Sequence, residues 1–270
     1  MRTSIIVVLG AWGLVVPWGM PAAAAAPASQ GAWTSPPQAG RPPPKTRPSG
    51  DKAIIHTVAD ALGFVRGVGR TETTDTLNRL QWGGSGSITV DGTVYTVPHY
   101  RYTLSLHLKA AREDYERVTQ GRTQRLIAVV AGSDAWDERE PGVDGHLQPG
   151  STRDRRLQFA RTPFGFVRLL LDADPSNIKV SDRGPDKVSI SFPVDGVLMT
   201  ATLDPDYRPA SISMEIGGKQ IVDRYRDYRD LAEYGVMFPT RITETIAGRP
   251  HLDLSIDDAR VASYAVFPKP

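Results

Sequence analysis

Apolar residues recur at helical spacing in two stretches of the chain and at alternate positions over most of the rest. In Asp51–Val65 the apolar positions are Ile54, Ile55, Val58, Ala59, Leu62 and Val65, with Lys52 and Asp60 on the opposite face. This spacing predicts one amphipathic helix. From Ser85 to Leu126 the period falls to two. Tyr102, Leu104, Leu106 and Leu108 share one parity, while Arg101, Thr103, Ser105, His107 and Lys109 share the other. That alternation predicts a strand with one buried and one solvated face, and Asp91-Gly92 supplies a tight hairpin turn before it. Helical spacing returns in Ser151–Ala173, at Leu157, Ala160, Phe164, Val167 and Leu171. Thr162-Pro163 divides this stretch, with Thr162 placed to cap a second helix and Pro163 at its first position.

Beyond Ala173 the pattern is strands alone. Val188, Ile190 and Phe192 alternate with polar residues, as do Ile212, Met214 and Ile216, then Leu252, Leu254 and Ile256, while Val197, Met199, Ala201 and Leu203 alternate with Leu198, Thr200 and Thr202. Asp195-Gly196, Asp204-Pro205-Asp206, Gly217-Gly218 and Gly248-Arg249-Pro250 punctuate them with turn chemistry. Short turns join antiparallel strands, because parallel crossovers need an intervening helix or long connection. Each strand has one apolar face, so the sheet needs a cover, and the two helical segments are the available one. The predicted class is α+β, mainly β: a strongly curved antiparallel sheet, an incomplete barrel wrapped around amphipathic helices.

The N-terminal residues change where this domain works. Arg2, the apolar run Ile5–Val16 and the alanines at 22–26 have the order of a secretory signal peptide, assigned to residues 1–28. The run is shorter than the roughly 20 residues of a spanning helix. Residues 29–50 have the composition of a Pro-rich linker, and 51–270 form the single domain. The expected location is periplasmic or secreted. The chain has no cysteine, which excludes disulfides, thiolate chemistry and a lipidated cysteine anchor. Its 32 basic and 30 acidic residues nearly balance, with no basic stripe interleaved with aromatics, so nucleic acid is not an expected partner.

Several segments carry a resemblance. Val129–Glu138 (VVAGSDAWDE) is followed by Arg155-Arg156 and then by Arg161–Gly165 (RTPFG). Tyr225–Thr240 (YRDYRDLAEYGVMFPT) precedes Arg241-Ile242-Thr243-Glu244. Together these resemble exported bacterial proteins of the LolA-like, lipoprotein-carrier type. Similar segments also precede metallo-β-lactamase-type domains in longer chains. The resemblance implies an incomplete antiparallel barrel that holds helices in its concave face and binds acyl chains or lipid anchors in an apolar cavity. Where relatives often carry a histidine after Thr-Pro, this chain has Phe164, so that histidine's role does not transfer.

Candidate chemistry is sparse. His56, His99, His107, His146 and His251 form no HxH or HExxH pair, which argues for surface histidines and against a metal site. Gly83–Ser87 (GGSGS) is not a nucleophile elbow and reads as a glycine-rich strand start. Asp134, Asp137, Glu138, Glu140 and Asp144 crowd a turn-rich segment that reads as solvated charge. Glu244 is different. It shares a parity with Ile242 and Ile246, which places a carboxylate on an apolar face, where it needs a partner or a function. Arg241 is its nearest partner in the chain. The candidate ligand-contacting residues are Trp136, Phe164, Phe166, Leu170, Tyr228, Phe238, Arg241 and Glu244, with no catalytic residue, metal or cofactor assigned. The expected function is an exported binding or carrier protein for an apolar small molecule or lipid. One alternative is an enzyme using the same cavity with Glu244, a histidine or a tyrosine as acid or base. Another is an accessory protein docking a membrane-associated partner.

Overall fold

A computed structural model describes residues 48–64, 77–182, 188–261 and 266–270. The assigned signal peptide and all but the end of the linker lie outside the described residues. Among these residues the chain forms three α-helices and one antiparallel sheet of thirteen strands. The helices are α1 (Asp51–Leu62), α2 (Thr152–Arg161) and α3 (Pro163–Asp172). Strands β1 (Arg79–Val90), β2 (Thr93–Ser105), β3 (Ala110–Thr119), β4 (Arg122–Ala131), β5 (Asp134–Asp137) and β6 (His146–Leu147) precede α2. Strands β7 (Lys179–Asp182), β8 (Val188–Val194), β9 (Val197–Leu203), β10 (Pro209–Ile216), β11 (Lys219–Arg229), β12 (Phe238–Ile246) and β13 (Arg249–Val261) follow α3.

The sheet is curved and unclosed. Its order runs from β6 through β1, then across to β13, and on down to β7. Every neighbour is therefore a hairpin partner except at one seam, where β1 pairs with β13. That seam joins two meanders that the chain builds separately, with α2 and α3 made between them.

The helices fill the concave face, as their apolar stripes require. α1 buries Ile54, Val58, Ala59 and Leu62, and Gly63 ends it in the left-handed conformation at φ 90°. The break between α2 and α3 falls at Thr162-Pro163. The Thr162 hydroxyl accepts from the Gly165 amide at 3.0 Å, and Pro163 occupies the first helical position, whose amide has no intrahelical partner to lose. α3 then buries Phe164, Phe166, Val167 and Leu170. From the sheet, Val188, Ile190, Phe192, Met199, Ala201, Ile212 and Leu254 face them, all buried. No helix among the described residues is long and apolar enough to cross a membrane.

Three local expectations need correction. The alternation through Leu108 does not continue as strand. β2 stops at Ser105, and Leu106–Lys109 turns into β3, which leaves Leu108 51% exposed. The glycines at 83, 84 and 86 lie inside β1 rather than at its start. The acidic segment is also not all solvated. Glu138 is buried, accepts from Arg112 Nε at 2.8 Å and Nη2 at 3.0 Å, and takes the Trp136 indole N–H at 2.9 Å. Sequence spacing could not reveal this, because the arginine comes from β3, 26 residues away.

Candidate functional site

Strand register brings ionisable side chains together on the concave face. Asp223 on β11 is the direct cross-strand partner of Glu244 on β12. Two carboxylates opposite each other repel, and burial removes the water that would screen them. Arg161, the last residue of α2, lies between them. Its Nη1 donates to Asp223 Oδ2 at 2.5 Å and to Glu244 Oε2. A backbone irregularity adds the fourth member. Glu244 pairs with Leu252 but Thr245 pairs with Pro250, so His251 is the extra residue of a β-bulge in β13. The bulge brings His251 Nδ1 onto Glu244 Oε1 while the imidazole keeps 32% of its surface exposed.

A fifth titratable group approaches from the other meander. Glu113 on β3 accepts from Tyr100 Oη at 3.0 Å and from Gln158 Nε2 of α2 at 2.8 Å. The Tyr225 hydroxyl fixes the end of α2 by donating to the Arg161 carbonyl at 2.6 Å. These groups border a cavity of about 50 Å³, walled by Trp82, Tyr102, Phe164, Ile242 and Leu252. Trp82 stacks on Tyr102 with ring centroids 4.9 Å apart, and Phe164 packs on Trp82 at 6.0 Å and on Phe238 at 5.1 Å.

The electrostatics of the pair divide between its members. Burial, against the opposing pull of Arg161, pushes the Asp223 carboxyl up to about 7. Glu244 goes the other way, down to about 2, where the hydrogen bond from His251 and the Arg161 charge overcome burial. His251 is raised by its hydrogen bond to Glu244. Glu113 is raised by burial. Near neutrality the centre therefore keeps Glu244 ionised and holds a proton on or near Asp223.

The sign of this arrangement is testable. A carboxyl with a raised pKa in the folded state stabilises the fold fully below its unfolded value near 4, and that contribution is lost as pH rises toward 7. His251 adds a loss in the same direction as pH rises past its own raised value. Urea midpoints of the wild type are expected to fall between about pH 4 and 7, and Asp223→Asn is expected to flatten that fall. An unchanged slope in Asp223→Asn would rule out Asp223 as its source.

The candidate residues read from sequence scatter across this architecture. Phe164 and Glu244 line the cavity. Phe238 packs behind Phe164, Phe166 packs on Phe192 at 5.0 Å, and Leu170 is buried in the same core. The Tyr228 hydroxyl donates to the Pro209 carbonyl at 2.7 Å. Arg241 is not a partner of Glu244. It has the opposite parity on β12 and points outward, donating to Asp253 at 2.6 Å and Ser255 at 3.0 Å. Trp136 does not border the cavity. It is buried with Ile127 and Val129 in a separate cluster beside Phe267, apart from the main core.

His251 is likewise a member of the cluster rather than a plain surface histidine. Among the described residues no group of three or more histidine, aspartate or glutamate side chains is placed to hold a metal.

Arg161, Asp223, Glu113, Tyr100 and Tyr102 went unassigned in the sequence. One of them carried a signal: Asp223 shares the parity of Ile221 and Tyr225, the same pattern that marked Glu244.

No family model and no curated protein matches this chain. Among solved structures, a LolA superfamily protein from Nitrosomonas europaea aligns at 13% identity over 79% of this chain and 94% of that one, with a TM-score of 0.45. The lipoprotein LppX of Mycobacterium tuberculosis aligns at 14% identity over 77% and 94%, with a TM-score of 0.27.

Proposed function

We propose that this chain is an exported carrier or binding protein that holds an apolar ligand against the concave face of its sheet, with α3 yielding its place there. The observation that carries this reading is the construction of α3. It is a separate ten-residue helix, set off from α2 at Thr162-Pro163, whose apolar side chains fill the concave face beside an aromatic-walled cavity with a few convergent polar groups. The cavity of about 50 Å³ is far below the several hundred Å³ of a lipid site, so a chain-bearing ligand enters only if α3 moves.

The energetics permit such an exchange. Exposing Phe164, Phe166, Val167 and Leu170 costs about 1.5–3 kcal/mol each, or roughly 6–12 kcal/mol in all. Burying an alkyl chain returns about 0.8 kcal/mol per methylene, so a chain of roughly 8–15 carbons offsets the displacement. Shorter ligands do not, which makes long-chain amphiphiles the expected class.

Delipidated, folded protein is expected to bind a neutral solvatochromic probe saturably, and long-chain amphiphiles are expected to compete for that site more strongly than short-chain ones. Mass spectrometry of extracts from protein purified without delipidation is expected to show a long-chain species. A folded protein with no saturable apolar site would remove the carrier reading.

A further inference from the structure

Two arginines of this protein grip a carboxylate with both N–H groups of one guanidinium edge. Arg112 clasps Glu138 with Nε at 2.8 Å and Nη2 at 3.0 Å, and Arg125 clasps Asp114 with Nε at 2.9 Å and Nη2 at 2.8 Å. Both use the Nε–Nη2 edge of the guanidinium, whose two parallel N–H groups match the two oxygens of a carboxylate. Arg161 is held differently from these two. Both of its acceptors, Asp223 and Glu244, sit on Nη1. Its Nε is buried without a hydrogen-bond partner among the described residues, although the side chain is only 11% exposed. No hydrogen bond to Nη2 is present among those residues either.

A second donor in the same cavity is also unused. Trp82 is 5% exposed, and its indole N–H has no partner among the described residues. Buried donors left unpaired are costly, so two of them lining one cavity are suited to hydrogen-bond an oxygen brought by a ligand. Arg79, Arg168 and Arg208 also carry an unpartnered Nε, but none of them borders this cavity.

We propose that the free Nε–Nη2 edge of Arg161, together with the Trp82 indole N–H, seats the carboxylate of a long-chain carboxylic acid. This assignment rests on the carrier reading and names its ligand class: the apolar chain replaces α3 on the concave face, and the acid head reaches the base of α2. The existing cavity of about 50 Å³ has room for a few polar atoms but not for the chain. Charge supports an anion here despite the neighbouring acids. The groups facing Arg161 are Asp223 and Tyr225 from β11, Glu244 from β12, His251 from β13, Glu113 from β3, and Tyr100 and Tyr102 from β2. Burial pushes the carboxyls of Asp223 and Glu113 toward their neutral forms, while the hydrogen bond from His251 and the charge of Arg161 hold Glu244 ionised. Fewer negative charges around Arg161 favour an anionic ligand there. As pH rises above about 7, Asp223 loses its proton and its charge disfavours a second anion beside Arg161.

The test compares palmitate with methyl palmitate, both displacing a neutral solvatochromic probe from full-length mature protein. Wild type is expected to bind the acid at least about tenfold more tightly than the ester at pH 6, as charge-assisted paired bonds require, and the ratio is expected to shrink at pH 8. Arg161→Lys retains the charge but lacks the Nε edge, and its acid-to-ester ratio is expected to fall toward one. Trp82→Phe keeps the ring stack, loses the N–H, and is expected to lower the ratio severalfold. It carries the test if Arg161→Lys does not fold. The ratio is taken within each variant, so general changes in cavity affinity cancel. A wild-type ratio near one with the probe displaced by both would overturn the carboxylate seat and leave the carrier reading standing. Failure of the probe and both competitors to bind would overturn both. Tighter binding of hexadecyl phosphate than of palmitate, or an undiminished ratio in the variants, would also overturn the assignment.

Discussion

Replacing Arg161 by leucine is expected to destabilise the fold by about 3–5 kcal/mol at pH 8, because it leaves Asp223 and Glu244 buried and facing each other without their shared cation. The loss should depend on pH. Below about pH 5 both carboxyls can take up protons in the variant, which removes most of the repulsion, so the difference from wild type is expected to shrink markedly. Adding Asp223→Asn to Arg161→Leu is expected to restore part of the stability at pH 8, since one of the two opposed charges is then gone. Hydrophobic volume is nearly kept in Arg161→Leu, so the cost tracks charge rather than packing. Urea unfolding of the four proteins at pH 5 and pH 8 forms a double-mutant cycle that measures this directly. Equal losses at both pH values, with no recovery in the double variant, would mean that the cluster is held by packing and not by the ion network.

Much of the fold was legible because its signals are local. The helix break at Thr162-Pro163 follows from a side chain that can cap and a ring that cannot donate, and the structure places it there. The one-sided strands β8, β9, β10 and β13 follow from parity alone: Val188, Ile190, Phe192, Val197, Met199, Ala201, Leu203, Ile212, Met214, Leu254 and Ile256 are buried, while Ile216 and Leu252 of the same parity are partly covered. The site was only half legible. Parity places Glu244 on the apolar face and would place Asp223 there by the same rule. Neither fact says that the two stand opposite each other, because register between β11 and β12 depends on how the intervening turn closes.

Arg161 could not be found that way at all. It sits at the polar end of a helix where arginine is ordinary, and its role comes from α2 ending over β11 and β12, 62 and 83 residues away. His251 was hidden by the bulge, since alternation assigns it to the outer face and only the extra residue in β13 turns it inward. Arg241 shows the converse error. It lies three residues from Glu244 and looks like a partner in sequence, yet strand geometry puts residues of opposite parity on opposite faces.

Gly86→Ala is expected to cost about 3 kcal/mol or more, as much as a severe core substitution, from the addition of one methyl group. A Cβ at residue 86 would lie 1.9 Å from the Asp253 carbonyl oxygen and 2.9 Å from Leu254 Cα, and at residue 84 it would lie 1.9 Å from the Ser255 carbonyl oxygen. These are backbone atoms of β13, so no side chain can rotate away to relieve the overlap. The strand itself must move. That strand is half of the seam between the two meanders, and β1 carries register shifts on both of its edges at these glycines, against β13 at Gly83/Gly84 and against β2 at Gly84/Gly86. Separating β1 from β13 there also disturbs Leu254 and Ile256, which are buried against the helices. Two controls isolate the cause. Gly83→Ala places its Cβ 3.2 Å from the Tyr100 carbonyl, a tight contact that a small shift relieves, and Gly150→Ala meets nothing within 4 Å. The expected order of urea midpoints is wild type and Gly150→Ala together, then Gly83→Ala, then Gly84→Ala and Gly86→Ala well below. If Gly83→Ala lowered the midpoint as far as Gly84→Ala and Gly86→Ala, the close approach at the seam would not be what demands glycine there.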